Sequence, residues 1–246
     1  MIDRQGARLG TPWHPLLLAV LSSLSIAFGA SADMVLSAII VDLQAPDEMR
    51  YDIEVWNSGA EPLYIEIETS EVLDPGGDES LRQTLDDPRT AGLLASPKRL
   101  VVLPDERKRV RLAARKMPTD RDLVYRVGFI PKENKAESTQ ALAFKVLIGY
   151  EVLVLIRPPG GRPQLVVTRE GNELHFENKG QSSVLIRKLE SCPTPDPTAD
   201  ADGEKGCVDL VGNRLYAGER WDVTLPWDGP VRTFESYRSE NRISEY

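Results

Sequence analysis

The stretch ALAFKVLIGYEVLVLIRP, Ala141 to Pro158, decides how the rest of the chain is read. Leu142, Phe144, Val146 and Ile148 fall on one face of an extended strand, and Val152, Val154 and Ile156 keep the same parity, because strand side chains alternate with a period of two. Gly149 interrupts the pattern, and Arg157-Pro158 ends it. A continuous strand over 141–156 would reach roughly 55 Å, about three times the usual length in globular proteins. Such a strand outlasts one sheet partner, so part of its edge is open to another chain.

The start of the chain gives the compartment. Arg4 and Arg8 precede an apolar run from Leu16 to Phe28, followed by Ala30-Ser31-Ala32. A basic start, a short apolar core and an A-x-A site make a cleaved secretory signal peptide over residues 1–32. The run is shorter than the ~20 residues a membrane span needs, so the mature chain is expected to be exported without membrane insertion. Its removal takes away two basic residues and one acidic residue, moving the net charge from −8 to −9. An acidic chain without a basic cluster speaks against nucleic acid as a partner. Strand-like alternation with 18 Pro and 18 Gly indicates an all-β build with many turns.

Cys192 and Cys207 are the only cysteines, both in the exported part, and are expected to form a disulfide. The segment they bracket, rich in Pro, Asp and Gly, cannot pack a core. A metal site is not expected, because His175 is the one histidine the mature chain has to offer. No cofactor is implied.

Strand signals run through the first half. Val35–Leu43 is an apolar run; Tyr51, Ile53 and Val55 alternate with polar neighbours up to Asn57-Ser58-Gly59; Leu63, Ile65 and Ile67 alternate next. Residues 74–96 read as a long connection with one helical turn at Ser80–Leu85. Strands resume at Arg99–Leu103, Arg107–Leu112 and Leu123–Ile130, which brings the count and spacing to those of an immunoglobulin-like sandwich. Arg157-Pro158-Pro159-Gly160-Gly161 is the linker. Short strands follow it, giving domains at 33–157 and 158–246.

In SPKRLVVLPDERKRVRL, PTDRDLVYRVGFIP, the long alternating strand ending in IRP, and FENKGQSSVLI, the chain resembles the PapD-like periplasmic pilus-assembly chaperones. The resemblance covers the whole mature chain. It implies two immunoglobulin-like β-sandwich domains in an L shape, a periplasmic location, an immature pilus or fimbrial subunit as client and an outer-membrane usher as the receiving partner. It also implies that the long strand is lent to the client, with Leu142, Phe144, Val146 and Ile148 as the donor side chains. The family holds its client's terminal carboxylate with two basic residues, at positions that match Ala38 and Leu153 here; either the register differs, or another basic group such as Lys145 takes the role, or the mode of capture differs. A charged bridge between the domains maps onto Asp122, Arg157 and Glu240.

An enzyme is the main rival reading and has little to carry it. His175 sits on a strand beside Leu174 and Phe176, Ser182 and Ser183 lack a G-x-S-x-G elbow, and Glu66 and Glu68 share a wet strand face. Gly76-Gly77 lacks the lysine of a phosphate loop. A chaperone-like exported binding module with a non-pilus client is the remaining alternative.

Overall fold

The computed structural model describes residues 34–77, 81–133, 147–193 and 206–246. The leader over 1–32 and the donor positions Leu142, Phe144 and Val146 lie outside these residues. Every regular element among the described residues is a strand, and none is a helix long and apolar enough to cross a membrane.

Ten strands build the first sandwich: β1 (Met34–Leu36), β2 (Ile40–Gln44), β3 (Arg50–Asn57), β4 (Leu63–Val72), β5 (Arg82–Thr84), β6 (Leu93–Ser96), β7 (Arg99–Val102), β8 (Arg107–Ala114), β9 (Leu123–Lys132) and β10 (Tyr150–Arg157). One sheet runs β1-β3-β8-β6 and the other β2-β10-β9-β4-β5, with β7 also on β4. The alternation in β3 explains the layering. Ile53 and Val55 are buried and meet Val110 and Leu112 of β8, while Asp52 and Glu54 face outward and pair with Arg111 and Arg107. From the facing sheet, Ile65 and Ile67 of β4, Val127 and Phe129 of β9, and Val152, Val154 and Ile156 of β10 close the same core.

The second sandwich contains β11 (Leu165–Glu170), β12 (Glu173–Asn178), β13 (Val184–Ser191), β14 (Val208–Val211), β15 (Arg214–Leu215), β16 (Arg220–Thr224), β17 (Val231–Tyr237) and β18 (Glu240–Glu245). Sheet β11-β12-β16 packs on β14-β13-β17-β18 around Leu174, Phe176, Ile186, Leu189, Leu215 and Val231. Cys192 and Cys207 are joined, tying the end of β13 to the start of β14.

Both sandwiches use the same buried asparagine. Asn57 donates from Nδ2 to the carbonyls of Glu61 and Val102, and its Oδ1 accepts from Gly59 N. Asn178 donates to Ser182 O and Leu215 O and accepts from Gly180 N. A buried amide whose donors and acceptor are all used closes the turn after β3 and after β12 without an unsatisfied polar group.

Three sequence expectations change. Ser80–Leu85 contains no helical turn in its described part; Arg82–Thr84 forms β5, an edge strand on Ser70–Val72. The run Val35–Leu43 is two strands on different sheets. Ser37 breaks it by donating from its backbone to Glu54 O while its hydroxyl accepts from Glu54 N. The expected continuous strand is broken within its described part: β10 begins at Tyr150, residues 147–149 belong to no strand, and Ile148 is half exposed, while 141–146 lie outside the described residues.

Candidate functional site

The site begins with β10. Its antiparallel pairing with β9 runs from Tyr150 opposite Phe129 to Ile156 opposite Leu123. On its other side β2 pairs in parallel, and only from Leu153 onward, opposite Ile40. Leu153 N donates to Ile39 O at 3.0 Å, which fixes where that pairing starts. Because β1 has already crossed to the other sheet, Tyr150–Val152 has no strand on this side among the described residues. Glu151 shares the parity of Leu153, so its backbone N–H and C=O point to the open edge. Exposed apolar side chains flank that edge: Ile39, Ile40, Leu147 and Ile148. At Gly149 a Cβ would stand 3.1 Å from Phe129 O, so glycine lets the chain pass close over β9 before the strand begins.

From Val152 on, both faces of β10 are buried. Val152, Val154 and Ile156 fill the core between the sheets; Leu153 and Leu155 turn the other way, with Val72 and Val124, and meet Tyr216 of the second sandwich. This strand is thus anchored by its side chains, while its first residues have no strand on the β2 side among the described residues.

Arg157, the last residue of β10, is 1 % exposed. Its guanidinium takes Asp42 with both oxygens at 2.7 Å, Asp122 Oδ2 at 3.0 Å and the carbonyl of Ser183 at 3.0 Å. The Tyr237 ring lies under it, 4.6 Å from Cζ to the centroid. Asp42 and Asp122 come from the first sandwich, Ser183 and Tyr237 from the second, so one planar fork joins the two. Asp122 Oδ2 also accepts from Ser183 N at 2.8 Å, and Gln44 Nε2 donates to Pro158 O at 2.8 Å. Burial pushes the Asp122 carboxyl above its ordinary value, against the pull of Arg157 and the Ser183 N–H. Burial also works against the Arg157 cation, but the Asp42 hydrogen bonds and the two carboxylate charges outweigh it and raise its pKa.

Asp122 and Arg157 therefore meet, and Glu240 does not join them. Its carboxylate pairs with Arg162 at 3.4 Å, and the Glu240 side chain is 70 % exposed. The register explains this: Tyr237 opposite Glu240 closes the β17–β18 hairpin and leaves Glu240 at its exposed turn. The second acid on Arg157 is Asp42 of β2, opposite Leu155. The signal for it in the sequence was a lone carboxylate inside the apolar run AIIVDL. Ala38 and Leu153 offer no cation, and Leu153 is buried.

Residues 42–157 match the family model of the CS5 fimbrial protein N-terminal domain. No curated protein matches the chain by sequence. Among solved structures, the class 5 fimbriae chaperone CfaA is 20 % identical, with a TM-score of 0.58 over 86 % of this chain and 98 % of its own. A structure described as a chaperone–tip adhesin complex for biogenesis of CFA/I fimbriae is 20 % identical, with a TM-score of 0.56 over 87 % of this chain and 98 % of that one. A structure of the Salmonella enterica SafA pilin with the SafB chaperone is 15 % identical, with a TM-score of 0.57 over 87 % and 95 %. The fold is thus the double immunoglobulin-like sandwich of fimbrial chaperones. The matched stretch carries β2 to β10, the strands of the first sandwich that form the open edge and the Arg157 node.

Proposed function

We propose that the protein is a periplasmic chaperone that holds an immature fimbrial subunit on the open edge of β10 and passes it to an outer-membrane usher. The carrying observation is the backbone edge at Tyr150–Val152, left without a strand among the described residues because β2 starts pairing only at Leu153. Main-chain groups on such an edge bind an extended segment, and alternating side chains select it. Ile148 is the described donor side chain; Leu142, Phe144 and Val146 are proposed to continue its face. The related structures include a chaperone with a pilin and a chaperone with a tip adhesin. The domains are taken as 33–157 and 158–246 after a leader at 1–32, with Arg157 fixing one to the other. No enzymatic role is proposed.

Affinity capture of the tagged protein from the periplasm, followed by mass spectrometry, tests this reading. Recovery of a fimbrial subunit supports it, and loss of surface fibres on deletion of the gene supports it further. Unchanged fibres and unchanged subunit levels would contradict it. A non-fimbrial client is the second reading, favoured by Ala38 and Leu153 at the family's basic positions; recovery of a different incomplete sandwich protein would select it.

A further inference from the structure

A cleft lined by Asp42, Glu48 and Arg157 separates the sandwiches on one side. A second cavity, of about 360 Å³, lies against Val72, Val124 and Leu153, on the face of β10 turned away from the core. Pro75-Gly76-Gly77, in the loop after β4, lines it from the first sandwich, and the turn 216–219 lines it from the second. That turn carries Tyr216, which packs on Leu153 and Leu155, so its position bears directly on β10.

The two segments meet through two glycines and two carboxylates. Gly76 has φ +91°, and a Cβ there would stand 2.4 Å from Glu219 Cδ and 2.5 and 2.7 Å from its two oxygens. Glycine therefore lets the loop lie on that side chain. The Asp74 carboxylate folds over the next glycine: a Cβ at Gly77 would stand 2.6 Å from Asp74 Oδ2. Each sandwich thus brings one acid to the contact, and neither acid has an ion pair among the described residues. The cations on the same cavity are turned elsewhere, Arg126 to Glu151 at 3.9 Å and Arg214 to Ser183 Oγ at 3.5 Å. Arg220, the next residue of the chain, pairs with Glu177 at 3.0 Å. Glu219 Oε2 accepts from Tyr216 N at 2.7 Å. Burial raises the Glu219 pKa, the Tyr216 N–H draws it back, and the Asp74 charge raises it again.

We propose that this contact is a proton-operated latch between the sandwiches: a proton on Glu219 seats the 73–77 loop on the turn that carries Tyr216, and ionisation loosens it. With both acids charged, like charges from the two sandwiches face each other with no cation between them. A neutral Glu219 removes that repulsion and still offers an oxygen to Tyr216 N. Because the folded value lies above the ordinary one, the gain is present in full below the ordinary glutamate range. It is lost as pH rises through the folded value.

The test follows the mature protein from about pH 4 to about pH 8 as wild type, Glu219→Gln and Asp74→Asn. Carbon-13 NMR of the side-chain carboxyls should show Glu219 titrating above the ordinary glutamate value of about 4.3. The Gly76 amide should follow the same curve, although it belongs to the other sandwich, and should lose that step in Glu219→Gln. In Asp74→Asn the Glu219 titration should move down. Glu219→Gln should melt about 2 °C or more above wild type at neutral pH, with the gain closing toward about pH 4. Asp122 is common to both proteins, so that difference belongs to Glu219. Glu219 titrating at or below its ordinary value, a Gly76 amide that does not follow it, or a Glu219→Gln no more stable than wild type at neutral pH overturns the latch. Should Glu219→Gln fail to fold, the titrations decide: a Glu219 value in Asp74→Asn unmoved from wild type overturns the proposal, and a lowered one upholds it.

Discussion

Arg157→Ala removes the centre of the contact between the sandwiches. The substitution deletes two hydrogen bonds to Asp42, one to Asp122 Oδ2 and one to Ser183 O, along with the stack on Tyr237. Asp122 is left buried with Ser183 N as a partner for Oδ2 and none for Oδ1. Asp42 is partly exposed and can be rehydrated. Removing one member of a buried ion pair costs about 3–5 kcal/mol, and the rehydration of Asp42 puts this case near 3 kcal/mol. For a chain of this size that corresponds to a fall in melting temperature of about 6–12 °C. The pH dependence has a definite sign. Burial already raises the Asp122 pKa in the folded state, so the fold binds that proton more tightly than the unfolded chain does. Its contribution is present in full below the ordinary carboxylate range and is lost as pH rises through the folded value. Without Arg157 the folded value rises further, so the deficit should be largest near neutral pH and narrow toward about pH 4. Thermal unfolding followed by circular dichroism over that range is the assay. A variant melting within about 2 °C of wild type at neutral pH, or a deficit that grows on acidification, would refute the reasoning.

Glu240→Ala should change stability by less than about 0.5 kcal/mol in denaturant titration, because its partner Arg162 is also exposed. Val152→Asp should prevent folding, since a carboxylate would enter a fully buried position in the core. Ile148→Asp should leave the melting temperature of the free protein unchanged and abolish subunit capture; equal damage to folding by both substitutions would make 148 an ordinary core position. Reduction of Cys192–Cys207 should add two hydrogens to the measured mass and lower stability by about 3 kcal/mol in the chain-entropy estimate for a 15-residue loop; two alkylatable thiols in the native protein would contradict the bond.

The sandwiches were legible because their strands have one dry and one wet face: β3 and β4 show the alternation directly, and Asn57-Ser58-Gly59 marks a turn that the structure closes with the buried Asn57 side chain. Within its described part, the long stretch is a paired strand from Tyr150 and buried on both faces from Val152; the same parity at Ile148 says nothing about whether a partner strand is present. The switch between β1 and β2 was hidden, because Ser37 interrupts the run through hydrogen bonds to Glu54, seventeen residues away. At the Arg157 node, the charged residue before β9 was readable from local sequence. Asp42 arrives through parallel pairing with β10 and Glu240 is carried off by a hairpin register, and both depend on contacts across more than a hundred residues or on a turn geometry that local pattern does not encode.

Amide hydrogen exchange of the wild-type protein, alone and with its captured subunit, bears most directly on the open edge. Free, the Glu151 amide should exchange rapidly while Val152 and Val154, bonded to β9, are protected. In the complex, new protection should appear at Glu151 and its neighbours from Leu147, with little change in the second sandwich away from the cleft. A captured subunit that leaves Leu147–Glu151 exchanging as in the free protein would contradict strand addition at β10.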